Sequence, residues 1–502
     1  MKKIILLILD GFGIRESDNG NAIKMANLPH LTKIMEEYSV CELECSGEEV
    51  GLPKGHTGNS EVGHMTIGTG RIIEQPLTLI NNKIKDKSFF ENDTLLDVID
   101  HVNENNSTLH LIGMLSDGNV HSSLDHFYAC IALAKIKKVK NLNFHFITDG
   151  RSTSQNNGLE IMTNFMNKIS KLEIGTVGTI CGRYYAMDRD SNYDRVKKAY
   201  DAMVYNLGNN FADYNRCFDL HYKNSITDEF INPSVITKGS NINDNDGVLF
   251  VNYRPEHMNE LIDAFVDESF NMFNTKKFKN VKFVSLYSNS DKIEGAYRNE
   301  TISNTFGKYL SDLDFKQARI AESEKYSHVT YFFDGGEEFS DKNLYKILVP
   351  SPKVPRFDMK PEMSASDVTK AVLDAMNEDF DFILVNYANP DMVGHGGNIP
   401  ACVRALEACD VCIGHILEKA QENFYELVIV SDHGNVEFMK DTDGKIMPGH
   451  TANKVPFIVC SNEYKLKKSG TLKDVIPTII DIYEISKPKD MTGESLLIRE
   501  NA

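Results

Sequence analysis

The sequence predicts an α/β fold of more than one domain, in which the sheets are mainly parallel. At 502 residues the chain is too long for one compact hydrophobic core, so two or three domains are expected. Short apolar runs rich in Ile, Val, Leu and Phe recur along the chain, which is typical of strands buried on both faces of a parallel sheet. Helical patterns separate these runs, and strands that alternate with helices indicate an α/β fold.

Six apolar runs account for the predicted strands. Each is followed directly by a polar residue, at the point where a parallel strand leaves the sheet. Ligands of such sheets bind at the carboxyl ends of the strands, so we expect functional side chains there. The runs are Ile4–Leu9, Leu109–Leu115, Phe144–Thr148, Val248–Val251, Ile383–Val385 and Leu427–Val430.

Two segments between predicted strands have the spacing of one-sided helices. Apolar residues of Val368–Ala375 recur at i, i+3, i+4 and i+7, with Ser364 or Ser366 available as the N-cap. Apolar residues of Cys402–Ile416 recur in steps of four, three, four and three. We expect the three cysteines of this second segment to pack in the core.

The charge balance limits the classes of partner. The chain has 72 acidic and 54 basic residues and a formal net charge of -18, which argues against nucleic acid or an anionic membrane as the main partner. A small anionic substrate is compatible with this charge, because a local cluster of Arg, Lys and metal reverses the sign inside a cleft.

The cysteines and the first residues indicate a cytoplasmic protein. Nine cysteines are scattered at irregular spacings without paired CxxC units, which favours reduced thiols. The apolar run Ile4–Leu9 is too short for a secretory signal, and no stretch approaches the roughly 20 apolar residues of a transmembrane helix. We therefore expect a soluble, unprocessed protein.

Residue types with metal-binding chemistry are unevenly distributed. Candidate ligands are concentrated in residues 1–70 and after residue 385, whereas strand ends in the middle of the chain carry Arg and His. This distribution predicts one domain assembled from both ends of the chain, with another domain inserted between them.

Five short segments carry the candidate metal site. Any one of these residues alone is typical of a turn or a helix cap, but the ordered set of carboxylates and imidazoles indicates a metal centre suited to Mn²⁺ or Zn²⁺. Adjacent carboxylate and imidazole side chains diverge, so the pair in SDHGN can serve two different metals. The segments are LDGFG with Asp10, HTGNSEVGH with Ser60, NPDMVGHGG with Asp391 and His395, SDHGN with Asp432 and His433, and MPGHTANKVP with His450.

Ser60 is the predicted nucleophile. A serine hydroxyl is weakly nucleophilic at neutral pH and requires activation by a base or a metal. Two ions about 4 Å apart lower the pKa of such a hydroxyl and offset the charge of a phosphoryl group. The small residues around Ser60 give a phosphate access to it. We therefore predict a two-metal phosphoryl-transfer enzyme.

At these residues the sequence resembles a known family, the cofactor-independent (2,3-bisphosphoglycerate-independent) phosphoglycerate mutases of the alkaline phosphatase superfamily. The resemblance runs nearly end to end, and HTGNSEVGH and GRYYAMDRD are its most specific motifs. The others are LDGFG, SDGNVHS, EKYSHVTYFFDGG, NYANPDMVGH, SDHGN and PGHT.

The resemblance implies a fold and a reaction. It implies an alkaline-phosphatase-like domain of residues 1–75 and 300–502, with an inserted transferase domain of residues 76–299. It implies an isomerase of glycolysis and gluconeogenesis that interconverts 3-phosphoglycerate and 2-phosphoglycerate through a phosphoserine. The family is usually monomeric and uses two divalent metal ions, here expected to be Mn²⁺, although Mg²⁺, Zn²⁺ and Co²⁺ stay open.

The resemblance also implies residue roles. Ser60 matches the serine that is phosphorylated, and Lys325 looks like the lysine that contacts the phosphoryl group. One metal site matches Asp10, Ser60, Asp432 and His433, and the other matches Asp391, His395 and His450. Substrate-binding residues of the inserted domain match His121, Arg151, Arg183, Arg189 and Arg254.

Three positions depart from the family pattern. Ser152 stands where the family usually has the second Asp of DGRD, and His257 stands where it usually has a second Arg after its NFR motif. Ser123, where the family often has His, is a milder change. These positions leave open a metal-dependent phosphatase, or a mutase acting on a related phospho-hydroxyacid. A metal-binding protein with a decayed substrate site is a third reading, against which Ser60 and Lys325 argue.

Overall fold

The computed structural model describes residues 2–298 and 302–499. The chain forms two compact units: unit 1 comprises Met1–Gln75 and Thr301–Ala502, and unit 2 comprises Pro76–Glu300. The break after residue 75 lies where the first domain boundary is expected from the sequence. The second expected boundary, between residues 299 and 300, lies outside the described residues.

Sixteen strands are present in the described residues, eight in each unit. They are β1 (Lys3–Leu9), β2 (Val40–Glu44), β3 (Thr108–Met114), β4 (Asn141–Thr148), β5 (Thr176–Gly182), β6 (Asn209–Asn210), β7 (Ser234–Val235), β8 (Gly247–Phe250), β9 (Lys282–Tyr287), β10 (Glu294–Tyr297), β11 (Gln317–Glu322), β12 (Leu344–Val349), β13 (Phe382–Tyr387), β14 (Tyr425–Val430), β15 (Val455–Val459) and β16 (Ser469–Thr471).

The α-helices of the same residues also number sixteen. They are α1 (Ala22–Met25), α2 (Pro29–Glu37), α3 (Ser60–Thr69), α4 (Pro76–Lys85), α5 (Asp93–Asn105), α6 (Leu124–Ile136), α7 (Gly158–Ile169), α8 (Arg183–Ala186), α9 (Tyr193–Tyr205), α10 (Tyr214–Lys223), α11 (Asn259–Val266), α12 (Phe306–Asp312), α13 (Ala365–Asn377), α14 (Asn389–Gly394), α15 (Ile399–Glu422) and α16 (Val475–Ile482).

The sheet of unit 1 has the order β12-β11-β13-β1-β14-β15-β2-β16. Strand β1 pairs in parallel with β13 on one side and with β14 on the other, and Leu9 lies opposite Tyr387. Only β15 runs antiparallel to its neighbours among these strands. Because β1, β13 and β14 run in the same direction, Asp10 and the polar residues that follow the other two strands reach one edge of the sheet.

The alternating side chains of β1 explain why it is buried on both faces. Ile5 and Leu7 belong to the core cluster on one side of the sheet, and Ile4 and Leu6 belong to the cluster on the other side. All four residues are fully buried. A strand covered on both faces reads as a continuous apolar run, which is the pattern that predicted it.

The sheet of unit 2 has the order β10-β9-β8-β3-β4-β5-β7-β6, and it is parallel except at the β5–β7 pair. Strand β3 lies between β4 and β8, so Ser116, Asp149 and Asn252 follow strands that end at the same edge. Next to them, β5 ends at Gly182, and Arg183 begins α8 directly.

The fold class predicted from the sequence is confirmed: both units are α/β with mainly parallel sheets. The six predicted strands correspond to β1, β3, β4, β8, β13 and β14, and the two predicted helices correspond to α13 and α15. Ser364 occupies the N-cap position of α13, but its hydroxyl donates to the Pro350 carbonyl and makes no capping bond. The cysteines of α15 are free and buried. None of the described helices is both long and apolar enough to cross a membrane.

Unit 2 contains a buried histidine that makes its stability sensitive to acid. His126 of α6 is fully buried, and its Nε2 lies 3.0 Å from the side-chain oxygen of Asn81. Burial lowers the pKa of His126 to about 3, against about 6.5 in an unfolded chain. The unfolded state therefore binds a proton first, so this stabilisation is complete above pH 6.5 and is lost as the pH falls toward 3.

We expect the His126→Gln variant to lose less stability in acid than the wild type. At pH 5 the wild type should have lost about 2 kcal/mol through this group, because protonation favours the unfolded state. Urea unfolding of metal-free protein at pH 7 and pH 5 measures the difference, with exposed His415→Gln as the control. Equal pH dependence of wild type and His126→Gln would contradict the assignment.

Candidate functional site

Ser60 is the first residue of α3, and the local sequence holds it at the start of the helix. The side chain of Asn59 caps α3 by accepting a hydrogen bond from the backbone N–H of Val62. Gly58 permits a close approach of the loop, since a Cβ there would lie 2.1 Å from the carbonyl oxygen of Cys45. Ser60 is buried, and the N-terminal end of a helix favours negative charge near its hydroxyl.

Lys325 is buried beside Ser60 and contacts two carboxylates. Its Nζ donates hydrogen bonds to Ser60 Oγ at 2.6 Å, to Asp10 Oδ1 at 2.9 Å and to Asp391 Oδ2 at 2.7 Å. Burial lowers the pKa of the ammonium, but the Asp10 and Asp391 carboxylates outweigh burial and raise its pKa above the usual value. Lys325 is therefore a permanent cation next to the Ser60 hydroxyl.

The helix that carries Ser60 packs closely against the segment that carries Lys325. Lys325 ends the 3₁₀ turn Ser323–Lys325, and the π-helix His328–Phe332 follows it. A Cβ at Gly68 of α3 would lie 2.0 Å from the carbonyl oxygen of Phe333, so only glycine permits this contact. This close packing places the ammonium and the hydroxyl within hydrogen-bond distance.

Four predicted ligands, one of which is the Ser60 hydroxyl, come together in unit 1. Ser60 Oγ lies 2.9 Å from His433 Nε2 and 3.2 Å from Asp10 Oδ1. His433 Nε2 lies 3.4 Å from Asp10 Oδ1 and 3.6 Å from Asp432 Oδ2. His433 Nδ1 lies 3.3 Å from the carbonyl of Gly434, which orients Nε2 toward the other three groups.

The other three predicted ligands form a second group. Asp391 Oδ1 lies 3.3 Å from His395 Nε2 and 3.3 Å from His450 Nε2, and the two Nε2 atoms are 3.2 Å apart. Each imidazole donates its Nδ1–H to a carbonyl, that of Pro448 for His395 and that of Gly58 for His450. Two nitrogen lone pairs and a carboxylate oxygen thus face one point, an arrangement that fits a divalent cation.

The spacing of the donors also allows a different division between two ions. His433 lies between the two groups, and its ring stacks on His450 with centroids 3.9 Å apart. His64 lies near the first group although it is not among the predicted ligands. Two groups of three residues each have their ligand atoms within 4.8 Å of one another. One group is Asp391, His433 and His450, and the other is Asp10, His64 and Asp432.

The electrostatics of unit 1 favour cations at this edge of the sheet. Burial raises the pKa of Asp10, but Lys325 and His433 outweigh burial and hold this pKa well below its usual value. Lys325 likewise holds the pKa of Asp391 low against the effect of burial. Burial lowers the pKa of His433, but Asp432 and Asp10 outweigh it and raise this pKa to about 10. Three buried carboxylates beside one permanent ammonium attract further positive charge.

In unit 2, Arg183 is the centre of a buried polar cluster. Its Nη1 donates to Asp149 Oδ1 at 2.7 Å and lies 3.4 Å from Ser152 Oγ. Its Nη2 donates to His121 Nε2 at 3.0 Å. The second oxygen of Asp149 accepts a hydrogen bond from Ser116 Oγ at 2.7 Å. The ends of β3, β4 and β5 thus supply one connected cluster.

The remaining predicted residues of unit 2 are more exposed. Arg151 Nε donates to Glu229 Oε1 at 2.6 Å, and Arg189 Nη1 lies 3.3 Å from His257 Nε2. His257 approaches the Arg183 cluster, because its ring centroid lies 4.6 Å from that of His121. Arg254 is exposed, and its charge is one of those that lower the pKa of His121.

The two imidazoles of this cluster are neutral at physiological pH. Burial and then Arg183 lower the pKa of His121 to about 3. Burial and then Arg189 lower the pKa of His257. Each imidazole accepts a hydrogen bond from a guanidinium. Arg189, and the Nη2 group of Arg183, therefore stay available to a phosphate or a carboxylate, although Arg183 Nη1 pairs with Asp149.

Several residues that contact the two sites are absent from the sequence-based set. His64 lies four residues after Ser60, a spacing that places both on one face of a helix. Asn386 and Asp149 directly follow predicted strands, so the strand-end pattern pointed to them. Asn435 belongs to the SDHGN segment, and its Nδ2 donates to Asp391 Oδ1 at 2.8 Å. For Glu229, 78 residues from its partner Arg151, we find no local sequence signal.

Comparisons with known proteins give the family. The model of the Metalloenzyme superfamily matches residues 2–487. A 2,3-bisphosphoglycerate-independent phosphoglycerate mutase of Clostridium kluyveri is 44% identical over 506 residues, which cover 99% of both chains. The protein of the same name from Staphylococcus saprophyticus is 41% identical and covers 98% of both chains. This chain belongs to the 2,3-bisphosphoglycerate-independent phosphoglycerate mutases.

A solved structure agrees with this membership. The phosphoglycerate mutase of Leishmania mexicana, determined at low cobalt concentration, is 25% identical to this chain with a TM-score of 0.67. The alignment covers 99% of this chain and 98% of the Leishmania chain. The two-unit architecture is thus that of a phosphoglycerate mutase.

We expect the Lys325→Met variant to be destabilised mainly when metal is removed. Without the ammonium, the buried Asp10 and Asp391 carboxylates lose the cation that contacts both of them, at a cost of about 3–5 kcal/mol. Bound Mn²⁺ would compensate them, so the loss should be smaller with saturating metal.

Urea unfolding in EDTA and in Mn²⁺ measures this difference. Lys342→Met is the matched control, because Lys342 pairs with Asp314 at the exposed surface and its loss should leave stability nearly unchanged. A Lys325→Met variant that is as stable as the wild type in EDTA would contradict the proposed charge balance.

Proposed function

We propose that this protein interconverts 3-phosphoglycerate and 2-phosphoglycerate, with Ser60 as the group that accepts the phosphoryl. The observation that carries the proposal is the convergence of the Ser60 hydroxyl, the Lys325 ammonium and two groups of metal-type ligands at one edge of the unit 1 sheet. The names of the relatives support the same reaction and identify it as an isomerisation.

We propose two divalent metal ions as cofactors, with Mn²⁺ as the metal. A mixture of carboxylate and imidazole donors suits Mn²⁺ better than it suits Mg²⁺ or Ca²⁺. When bound, such ions lower the pKa of the serine hydroxyl and offset the charge of the phosphoryl group. Asp10, Ser60, Asp432 and His433 would hold one ion, and Asp391, His395 and His450 would hold the other.

The residues of unit 1 prepare Ser60 for phosphoryl transfer. Lys325 keeps its proton and directs an N–H at Ser60 Oγ, so it stabilises negative charge on that oxygen before and during transfer. The same ammonium can then contact an oxygen of the phosphoryl group held on Ser60. The start of α3 adds the favourable potential of a helix N-terminus.

We propose that unit 2 binds the glycerate part of the substrate. A phosphoglycerate carries a phosphate and a carboxylate, and guanidinium groups bind both through paired hydrogen bonds. Arg183 and Arg189 can exchange their neutral imidazole partners for an anion without breaking an ion pair at those positions. The proposed substrate-binding residues are His121, Arg151, Ser152, Arg183, Arg189, Arg254 and His257, with Lys325 of unit 1.

Ser152 favours a second candidate function, hydrolysis or the isomerisation of a related phospho-hydroxyacid. The carboxylate of Asp149 is engaged on both oxygens, by Ser116, by Arg183 and by the backbone N–H groups of Arg151 and Ser152. Arg183 and Ser116 help to hold its pKa low in spite of burial, so it is a weak proton acceptor. With serine at position 152, the hydroxyls of the substrate have no free carboxylate there to carry their proton.

We also propose that the enzyme works in the cytoplasm as a monomer on a small-molecule substrate. The cysteines support the compartment, because all nine are free and buried.

We expect the Ser60→Ala variant to lose isomerisation completely, because no other hydroxyl contacts Lys325 in the described residues. The protein with Mn²⁺ is given 3-phosphoglycerate in an enolase-coupled assay, and mass spectrometry detects phosphate on the peptide that contains Ser60. Ser366→Ala, an exposed serine of α13, is the matched control and should keep the wild-type rate.

Inorganic phosphate is measured in parallel to separate the two candidate functions. Isomerisation that outpaces phosphate release supports the mutase, and phosphate release that outpaces isomerisation supports the second candidate. A Ser60→Ala variant with the wild-type rate would contradict both.

A further inference from the structure

We propose that Asn386 and His64 are positioning residues that form a neutral bridge from the Asp10 carboxylate to the Ser60 backbone carbonyl, beside the Asp432 carboxylate. In this bridge the Asn386 amide selects the tautomer of the His64 imidazole, and so keeps His64 from binding metal while it aligns the ligands that do. The inference rests on the metal set given under the proposed function and assigns roles to two residues outside that set.

The amide of Asn386 contacts both a ligand and His64. Its Nδ2 donates to Asp10 Oδ2 at 2.8 Å, and it lies 3.0 Å from His64 Nε2. A reversed amide would place its oxygen against the Asp10 carboxylate, so the donor must face Asp10. Both Asn386 and His64 are fully buried, so water does not compete for these contacts.

The orientation of the amide determines the state of the imidazole. Because Nδ2 of Asn386 donates to His64 Nε2, that nitrogen carries no proton and the ring proton is on Nδ1. His64 Nδ1–H donates to the Ser60 carbonyl oxygen at 2.9 Å, and Asp432 Oδ2 lies 3.2 Å from the same nitrogen without a hydrogen bond to it. Both ring nitrogens are therefore engaged, although His64 is close enough to Asp10 and Asp432 to resemble a ligand.

The bridge leaves one oxygen of Asp10 for the reactive centre. Oδ2 is held by Asn386, so Oδ1 is the oxygen that faces Ser60 Oγ, Lys325 Nζ and His433 Nε2. The bridge brings together the end of β1, strand β13, helix α3 and Asp432, the second residue after β14. A displacement of any one of these would change the spacing of ligands that come from distant parts of the chain.

The Asn386→Asp variant separates positioning from simple charge. An aspartate would add a negative charge beside the site, which by itself should strengthen metal binding. It would also lack the N–H groups that now hold Asp10 Oδ2 and His64 Nε2, so both groups would be released from their present positions. The bridge therefore predicts weaker binding for this variant, whereas a charge effect predicts tighter binding.

Mn²⁺ binding to the full chain tests the bridge without using activity. Electron paramagnetic resonance of free Mn²⁺ is used to titrate the wild type, Asn386→Asp and Asn386→Ala, and circular dichroism verifies that each metal-free variant is folded. We expect both variants to lose about 10–100-fold in affinity at one of the two sites and to keep the other within about threefold. Asn435→Ala is the matched control, because Asn435 donates to Asp391, so its loss should fall on the other site.

The outcomes distinguish a failure of the bridge from a failure of the proposed function. Tighter or unchanged Mn²⁺ binding in Asn386→Asp would overturn the bridge, and so would equal losses at both sites. A wild-type chain that binds no Mn²⁺ would overturn the proposed metal set as well.

Spin-echo spectroscopy of bound Mn²⁺ tests the role of His64 separately. His64→Gln should keep every imidazole nitrogen coupling of the wild type, whereas His433→Gln should lose one. Loss of a coupling in His64→Gln would show that His64 is a ligand and would overturn the inference. This measurement does not depend on whether Asn386→Asp folds.

Discussion

The buried ammonium of Lys325 between Asp10 and Asp391 is the interaction on which the functional edge of unit 1 depends. Buried carboxylates are costly unless an opposite charge lies close to them, and this single cation contacts a carboxylate from each of the two ligand groups. The same atom contacts the Ser60 hydroxyl. Lys325 therefore both compensates the carboxylates and orients the nucleophile. Bound metal ions would add to these contacts without replacing them.

The order of the strands explains how residues from both ends of the chain reach Lys325. Strand β1 is in the middle of the sheet because its neighbours, β13 and β14, come from the second segment of unit 1. Three parallel strands then end side by side, and each carries a carboxylate or an amide at or just after its end. In unit 2 the same principle brings Ser116, Asp149 and Arg183 together. Function in both units follows from parallel strands that end at one edge.

The sequence was sufficient for six of the sixteen described strands and for most groups at the ends of those six, because a strand buried on both faces is apolar along its length. It did not show which neighbours orient those groups. His64 is the last residue of HTGNSEVGH and Asn386 is the first residue of NYANPDMVGH, and only their distance shows that they contact each other. Glu229 reaches Arg151 through the packing of unit 2, which no local pattern encodes. The neutral state of His257 likewise depends on burial and on Arg189.

The central claim is that two groups of ligands converge on Ser60 and Lys325, and anomalous scattering from crystals grown with Mn²⁺ tests it most directly. The account predicts two anomalous peaks in unit 1, one among Asp10, Ser60, Asp432 and His433, and the other among Asp391, His395 and His450. A single peak, or a peak bound to a ring nitrogen of His64, would contradict it.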